Sequence, residues 1–125
     1  MEKEPSGLNG PHKERRRFVR VKIYAVTRYF CPLRYTEVGI QTRISDISEG
    51  GVLMETFMEG IPVDTPVKMS FVMPGTESHL VTIEGEIRHT GFLEKDIYRS
   101  GVEFLKIKKK DLEAIRKHVS SQQKT

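Results

Sequence analysis

The sequence is poor in the features that mark out most protein classes. It has one cysteine, Cys31, among 125 residues, so no disulfide can close within the chain. Beside Pro32 in an expected turn, that cysteine reads as a small half-buried hydrophobe and is given no role. No apolar run approaches the roughly 18 residues that a membrane-spanning helix needs. The opening MEKEPSGLNGPHKE has no apolar core of the kind a secretory signal carries. A soluble, cytoplasmic chain is expected, and its length suits one domain with a single modest core.

Catalytic groupings are equally scarce. His12 and His118 fall in terminal segments, and His79 and His89 fall near turns. None lies beside a plausible nucleophile, or at a metal-ligand spacing with Cys31 or another histidine. No glycine-rich loop joins a strand to a helix in the manner of nucleotide hydrolases, and Glu84 and Glu86 share the polar face of one strand, where they read as solvated. The sequence therefore points away from an enzyme, a metal site or a bound cofactor, and towards a binding module.

Net charge is small too, at +4, but it is unevenly spread. Lys13 to Lys22 holds six basic residues and one acidic, a local +5, and Lys106 to Thr125 holds seven basic and two acidic, another +5. Between them, Ile23 to Leu105 holds seven basic and twelve acidic residues, or −5. A surface that grips a nucleic-acid backbone needs basic charge along a broad track. Two basic segments around an acidic body suit a compact anionic ligand, a short acidic partner surface or a solvated tail.

What the chain has in quantity is alternation. Residues 1–12, with Pro5, Gly7, Gly10 and Pro11, form an expected flexible tail. Val19, Val21, Ile23 and Ala25 then alternate with polar residues, as do Val38, Ile40, Thr42 and Ile44. GVLMET follows SEGG as a strand leaving a tight turn, MEGIPVDTP is a loop, and PGTES is a turn. Val67, Met69, Phe71 and Met73 make a fourth strand, Val81, Ile83, Gly85 and Ile87 a fifth, and SGVEFL a sixth. The period changes only at the end. Asp111 sits near a helix start, and Leu112, Ile115 and Val119 form an apolar stripe over about residues 110–121, with 122–125 as a tail. Six short antiparallel strands without intervening helices predict an all-β fold with one C-terminal helix, closed or nearly closed into a barrel that the helix covers.

Two segments could recognise a ligand. In RRRFVR, Arg16, Arg17 and Arg20 lie where the tail meets the first strand, and Arg16 and Arg20, four apart, are separated by about 13 Å on an extended chain. A guanidinium fork fits a phosphate, or the O6 and N7 acceptors of guanine, with paired hydrogen bonds. In DISEGG, Asp46 and Ser48 are expected to hydrogen-bond their own backbone, with Gly50 or Gly51 at positive φ. The same glycines let backbone N–H groups approach a ligand. Asp46 can accept from a guanine N1–H and N2–H₂ edge, or hold an arginine.

An R-x-x-x-R pair just before the first strand, followed by D-x-S-x-x-G, resembles the PilZ domain, the bacterial receptor module for cyclic di-GMP. Arg16 and Arg20 are the only register with the spacing, since Arg15 pairs with Val19 and Arg17 with Val21. The likeness continues through VTIEGEIRH, GVEF and the terminal helix, so it spans roughly Lys13 to Val119, and it implies a six-stranded antiparallel split β-barrel over residues 13–119. By this resemblance Arg16 and Arg20 grip phosphates and guanine edges, with Arg17 as an additional contact, while Asp46 and Ser48 meet a guanine and Gly50 and Gly51 allow close approach. Arg15, just before the pair, either stacks on a base or obstructs one. The implied partners are cyclic di-GMP and a protein effector not identified by the sequence. Two alternatives stand beside this: a PilZ-fold interaction module that binds no nucleotide, and a small barrel that stacks single-stranded nucleic acid on Tyr24, Tyr29, Phe30 and Tyr35.

Overall fold

The computed structural model describes residues 18–32, 39–57, 60–74 and 79–123. The expected tail at 1–12, Arg15, Arg16, Arg17, His12, Tyr35, Val38 and most of the PGTES turn lie outside the described residues. Six strands appear in chain order: β1 (Val21–Phe30), β2 (Ile40–Ile47), β3 (Gly51–Phe57), β4 (Pro66–Met73), β5 (His79–Glu94) and β6 (Ile97–Ile107), followed by α1 (Lys109–Gln123). All neighbours are antiparallel, and the order β1-β2-β3-β6-β5-β4 closes on itself through pairing of β1 with β4. Closure leaves the barrel no free edge.

The alternating apolar residues fill the barrel. Ile23, Ile44, Met54, Met69, Phe71, Val81, Ile83, Ile87 and Val102 share one buried cluster. β1 starts two residues later than the alternation of Val19 to Ala25 suggests, and runs on to Phe30. Its continuation was hidden by Thr27, a polar residue in an inward position. The Thr27 hydroxyl donates to the Ser70 carbonyl at 2.8 Å, so its burial carries no unmet hydrogen bond. Thr42, also inward, donates to the Glu55 carbonyl in the same way. Pro66 opens β4, a position where a missing donor is tolerated.

Not all six strands are short: β5 has 16 residues and β6 has 11. Their hairpin runs past the core to a turn at Lys95 and Asp96, where Asp96 adopts φ 60°, a left-handed conformation that aspartate tolerates better than most residues. At its far end, β6 delivers the chain to where β5 begins, and α1 folds back against β5, β1 and β4. Ile115 and Val119 join the barrel core, as their stripe predicts.

A buried carboxylate anchors the helix. Asp111, 6% exposed, lies 2.8 Å from His79 Nε2 through Oδ1 and accepts the Thr82 N–H at 3.2 Å through Oδ2. His79 thus has a structural partner that its position near a turn did not suggest. Tyr29 is a core residue, 5% exposed, which removes it from the aromatic set considered for base stacking.

Candidate functional site

Among the register shifts between the strands, one in β2 and one in β5 bear on the same cavity. Along β2, Ile44 pairs with Met54 but Asp46 pairs with Leu53, so Ser45 is one residue more than β3 matches. Such a bulge reverses which face the following residues present. Ile47 therefore points into the core and Asp46 points outward, although strict alternation from Ile44 would bury Asp46 inside the barrel. Along β5 the same thing happens at Arg88: Ile87 pairs with Val102, and His89, not Arg88, pairs with Gly101. His89 is turned outward and Thr90 inward, where its hydroxyl meets Ser100 Oγ at 3.2 Å.

These two bulges complete one row across four strands, Asp46–Leu53–Gly101–His89, on the outer face of the barrel. The row floors a cavity of about 480 Å³. Arg20, just ahead of β1, lines it, together with Phe18 and the β2–β3 turn containing Ser48, Gly50 and Gly51. Of the residues singled out in the sequence, Arg20, Asp46, Ser48, Gly50 and Gly51 are brought together here, and Arg15, Arg16 and Arg17 lie outside the described residues.

The turn holds itself with its own polar groups. Ser48 N–H donates to the Gly51 carbonyl at 2.9 Å, and Gly50 N–H donates to Ser48 Oγ at 3.1 Å. The glycines serve a different purpose from the one expected. Neither has a positive φ; among the described glycines only Gly39 does. A Cβ on Gly51 would stand 2.0 Å from the Val102 carbonyl oxygen, and one on Gly50 would stand 2.7 Å from the Phe18 ring. Glycine is required because the turn is pressed against β6 and Phe18, not because of its own twist.

Asp46 also departs from expectation. It is paired in the β1–β2 ladder with Lys22, whose Nζ is 3.1 Å from its carboxylate, and it makes no turn with its own backbone. Its 6% exposure makes this ion pair a defined acceptor at the cavity floor.

Sequence reasoning missed other lining residues, among them Leu53, Arg88, His89 and Gly101. Leu53 faces outward yet is 7% exposed, an apolar floor. Arg88 donates from Nε to Glu103 at 2.5 Å and approaches Glu86 at 3.0 Å and Asp64 at 3.4 Å. Its pKa is raised above the ordinary guanidinium value, first by the hydrogen bond to Glu103, which desolvation opposes and the charges of Glu103, Glu86 and Asp64 reinforce. The signal for these residues is the sequence IRHT, where inward Ile87 and Thr90 stand three apart instead of two. The cavity offers a cation at Arg20, an acceptor at Asp46, apolar surface at Leu53 and ring faces at Phe18 and His89. Among the described residues no cluster of His, Cys, Asp or Glu could hold a metal ion. Such a set is equipped for recognition of a flat, partly anionic ligand.

A closed six-stranded barrel with a C-terminal helix, carrying an arginine before β1 and a D-x-S-x-x-G turn on the same cavity, has a known counterpart. The family model of the PilZ domain matches residues 14–121, and the chain belongs to that family. Among solved structures, it is similar to the Bacillus subtilis inhibitor of motility, MotI/DgrA, with a TM-score of 0.74 and 16% identity over 91% of this chain and 56% of that one. The chain thus spans just over half the length of that structure, and the likeness at this identity concerns the fold. No curated protein matches the chain.

Proposed function

We propose that this protein is a cyclic di-GMP sensor whose output is a change in a protein-binding surface. The observation that carries the proposal is the convergence of Arg20, Asp46, Ser48, Gly50 and Gly51 on one cavity of about 480 Å³. Arg16 and Arg20, with Arg17 beside them, supply guanidinium forks for the two phosphates and the guanine edges; Arg15 is a further contact. Asp46 and Ser48 meet a guanine from the barrel, and Gly50 and Gly51 let it come close. Charge-assisted hydrogen bonds at about 1.5–3 kcal/mol each give three arginines about 4–9 kcal/mol gross. Ordering the segment that bears them costs about 1–2 kcal/mol per residue fixed. Micromolar affinity is the expected result.

Binding on these terms brings Arg16 and Arg17 to the ligand beside Arg20 and presents a new surface to an effector protein in the cytoplasm. The domain at 13–119 acts as an adaptor and carries out no reaction. Calorimetry with cyclic di-GMP, with GTP as control, tests this. Saturable binding near micromolar, lost in Arg20→Ala and absent for GTP, is expected. No heat, and no thermal stabilisation at a hundredfold excess over a micromolar dissociation constant, where about 2.7 kcal/mol is due, would leave the domain an interaction module that binds no nucleotide.

A further inference from the structure

We infer that the outer face of β4 and β5 is a self-association surface whose occupant is the same face of a second copy of this chain. The two copies are related by a two-fold axis that runs along the strands, between β4 and β5. The inference stands apart from the nucleotide reading and uses no residue of that cavity.

Closure of the barrel comes first. With β1 paired to β4, no barrel edge is left for strand addition between copies, and a sheet face is the surface that remains. On β4 and β5 the outward residues come in matched pairs: Lys68 with Glu84, Ser70 with Thr82, and Val72 with Leu80. The residues between them, Met69, Phe71, Val81 and Ile83, are buried in the core. A two-fold axis along the strands exchanges the two columns when one face is laid on the other, and every contact then occurs twice. Lys68 of one copy meets Glu84 of the other, Ser70 meets Thr82, and Val72 meets Leu80. Charge faces opposite charge, hydroxyl faces hydroxyl, and two exposed aliphatic side chains cover each other. The face is complementary to itself.

The row through Lys68 extends this match on both sides. It reads Phe30–Lys68–Glu84–Lys106 across four strands, so the same axis brings Phe30 of one copy to the end of β6 in the other. There β6 takes an extra residue: Phe104 pairs with Gly85 and Lys106 with Glu84, which leaves Leu105 between them. Phe104 and Ile107 pack on the core, while Leu105 is 52% exposed. Beside Phe30 lies a cavity of about 450 Å³ whose lining includes Cys31, Pro66 and Leu105. Exchange of the columns aims each Leu105 at Phe30 and Cys31 of the other copy, at the apolar end of that cavity. A protruding leucine and a place to receive it thus occur on one face, as an isologous contact requires.

The test is analytical ultracentrifugation from micromolar to millimolar protein, on the wild type, Lys68→Glu, Glu84→Lys and an equal mixture of the two variants. The wild type is expected to pass from monomer to dimer as concentration rises. Each variant alone sets like charges across the axis and is expected to dimerise about tenfold or more weakly. Within one chain the same substitutions also set like charges on neighbouring strands, which thermal unfolding of the dilute proteins measures. The mixture separates the two effects: repulsion inside each chain persists, but every contact across the axis is again between opposite charges. Heterodimers are therefore expected at within about threefold of wild-type affinity. The chain has one cysteine, so alkylation by N-ethylmaleimide reads Cys31 alone. Its rate should fall about threefold or more at the concentrations where the wild type dimerises, and Leu105→Arg should abolish that fall. A wild type monomeric throughout, single variants that dimerise as well as wild type, or a mixture no better than its components would each overturn the inference.

Discussion

β1 and β5 start from the same rule and part at one residue. The burial of β1 alternates without interruption over ten residues, and its inward side chains do nothing but fill the barrel. β5 alternates from Val81 to Ile87, takes an extra residue at Arg88, and turns His89 onto the cavity. β2 does the same at Ser45 and delivers Asp46. Regular alternation builds the container, and the departures at Ser45 and Arg88 each place a side chain on one outer row that lines the cavity. Stability and recognition are therefore carried by different parts of the same strands.

That division can be broken most forcefully from the regular side. Phe71, 2% exposed, lies in the uninterrupted core. Phe71→Ala is expected to lower unfolding free energy by about 3–5 kcal/mol, measured by denaturant titration. The affinity of the remaining folded protein for cyclic di-GMP should change by less than about twofold, since distant sites add nearly independently. On the irregular side, Gly51→Ala sets a methyl against the Val102 carbonyl 2.0 Å away, so the turn must move off β6. A stability loss of about 1–3 kcal/mol should come with a fall in cyclic di-GMP affinity of about tenfold or more. Equal affinities for Gly51→Ala and wild type would show that the turn's position is not part of the site.

The smallest expected effect sharpens the boundary between the two regions. Arg116 on α1 donates from Nε to Glu49 at 2.7 Å, tying the helix to the β2–β3 turn at the protein surface. Exposed pairs of this kind contribute little, so Arg116→Ala should cost less than about 1 kcal/mol, a difference that shrinks further in salt. Paired unfolding curves at low and high ionic strength measure it.

The container was legible in the sequence because period two and period three-to-four are local. Four runs of alternation, the segments GVLMET and SGVEFL, and the stripe of Leu112, Ile115 and Val119 point to strands, helix and barrel. Thr27 shortened the first strand because its acceptor, the Ser70 carbonyl, comes from a neighbouring strand, which no single segment reveals. On the site, DISEGG pointed to residues that line the cavity, but the positive φ expected of its glycines is absent: the contact that excludes a Cβ on Gly51 belongs to Val102 on β6. Arg88, His89 and Gly101 were missed on similar grounds. The shift at IRHT is a slip of one position, and it acquires meaning only when pairing with Ser100 and Val102 fixes the register.

The bulge at Arg88 also has a meaning in terms of inheritance. It is one residue long, so the loss of the Arg88 codon brings β5 back into step with β6: Ile87 stays inward, the histidine still falls outward opposite Gly101, and only the Arg88 side chain leaves the cavity. One cation of the lining can thus be gained or withdrawn in one event, while the β2–β3 turn, on other strands, keeps its place. A lineage can retune the lining of this cavity without rebuilding the barrel that holds it.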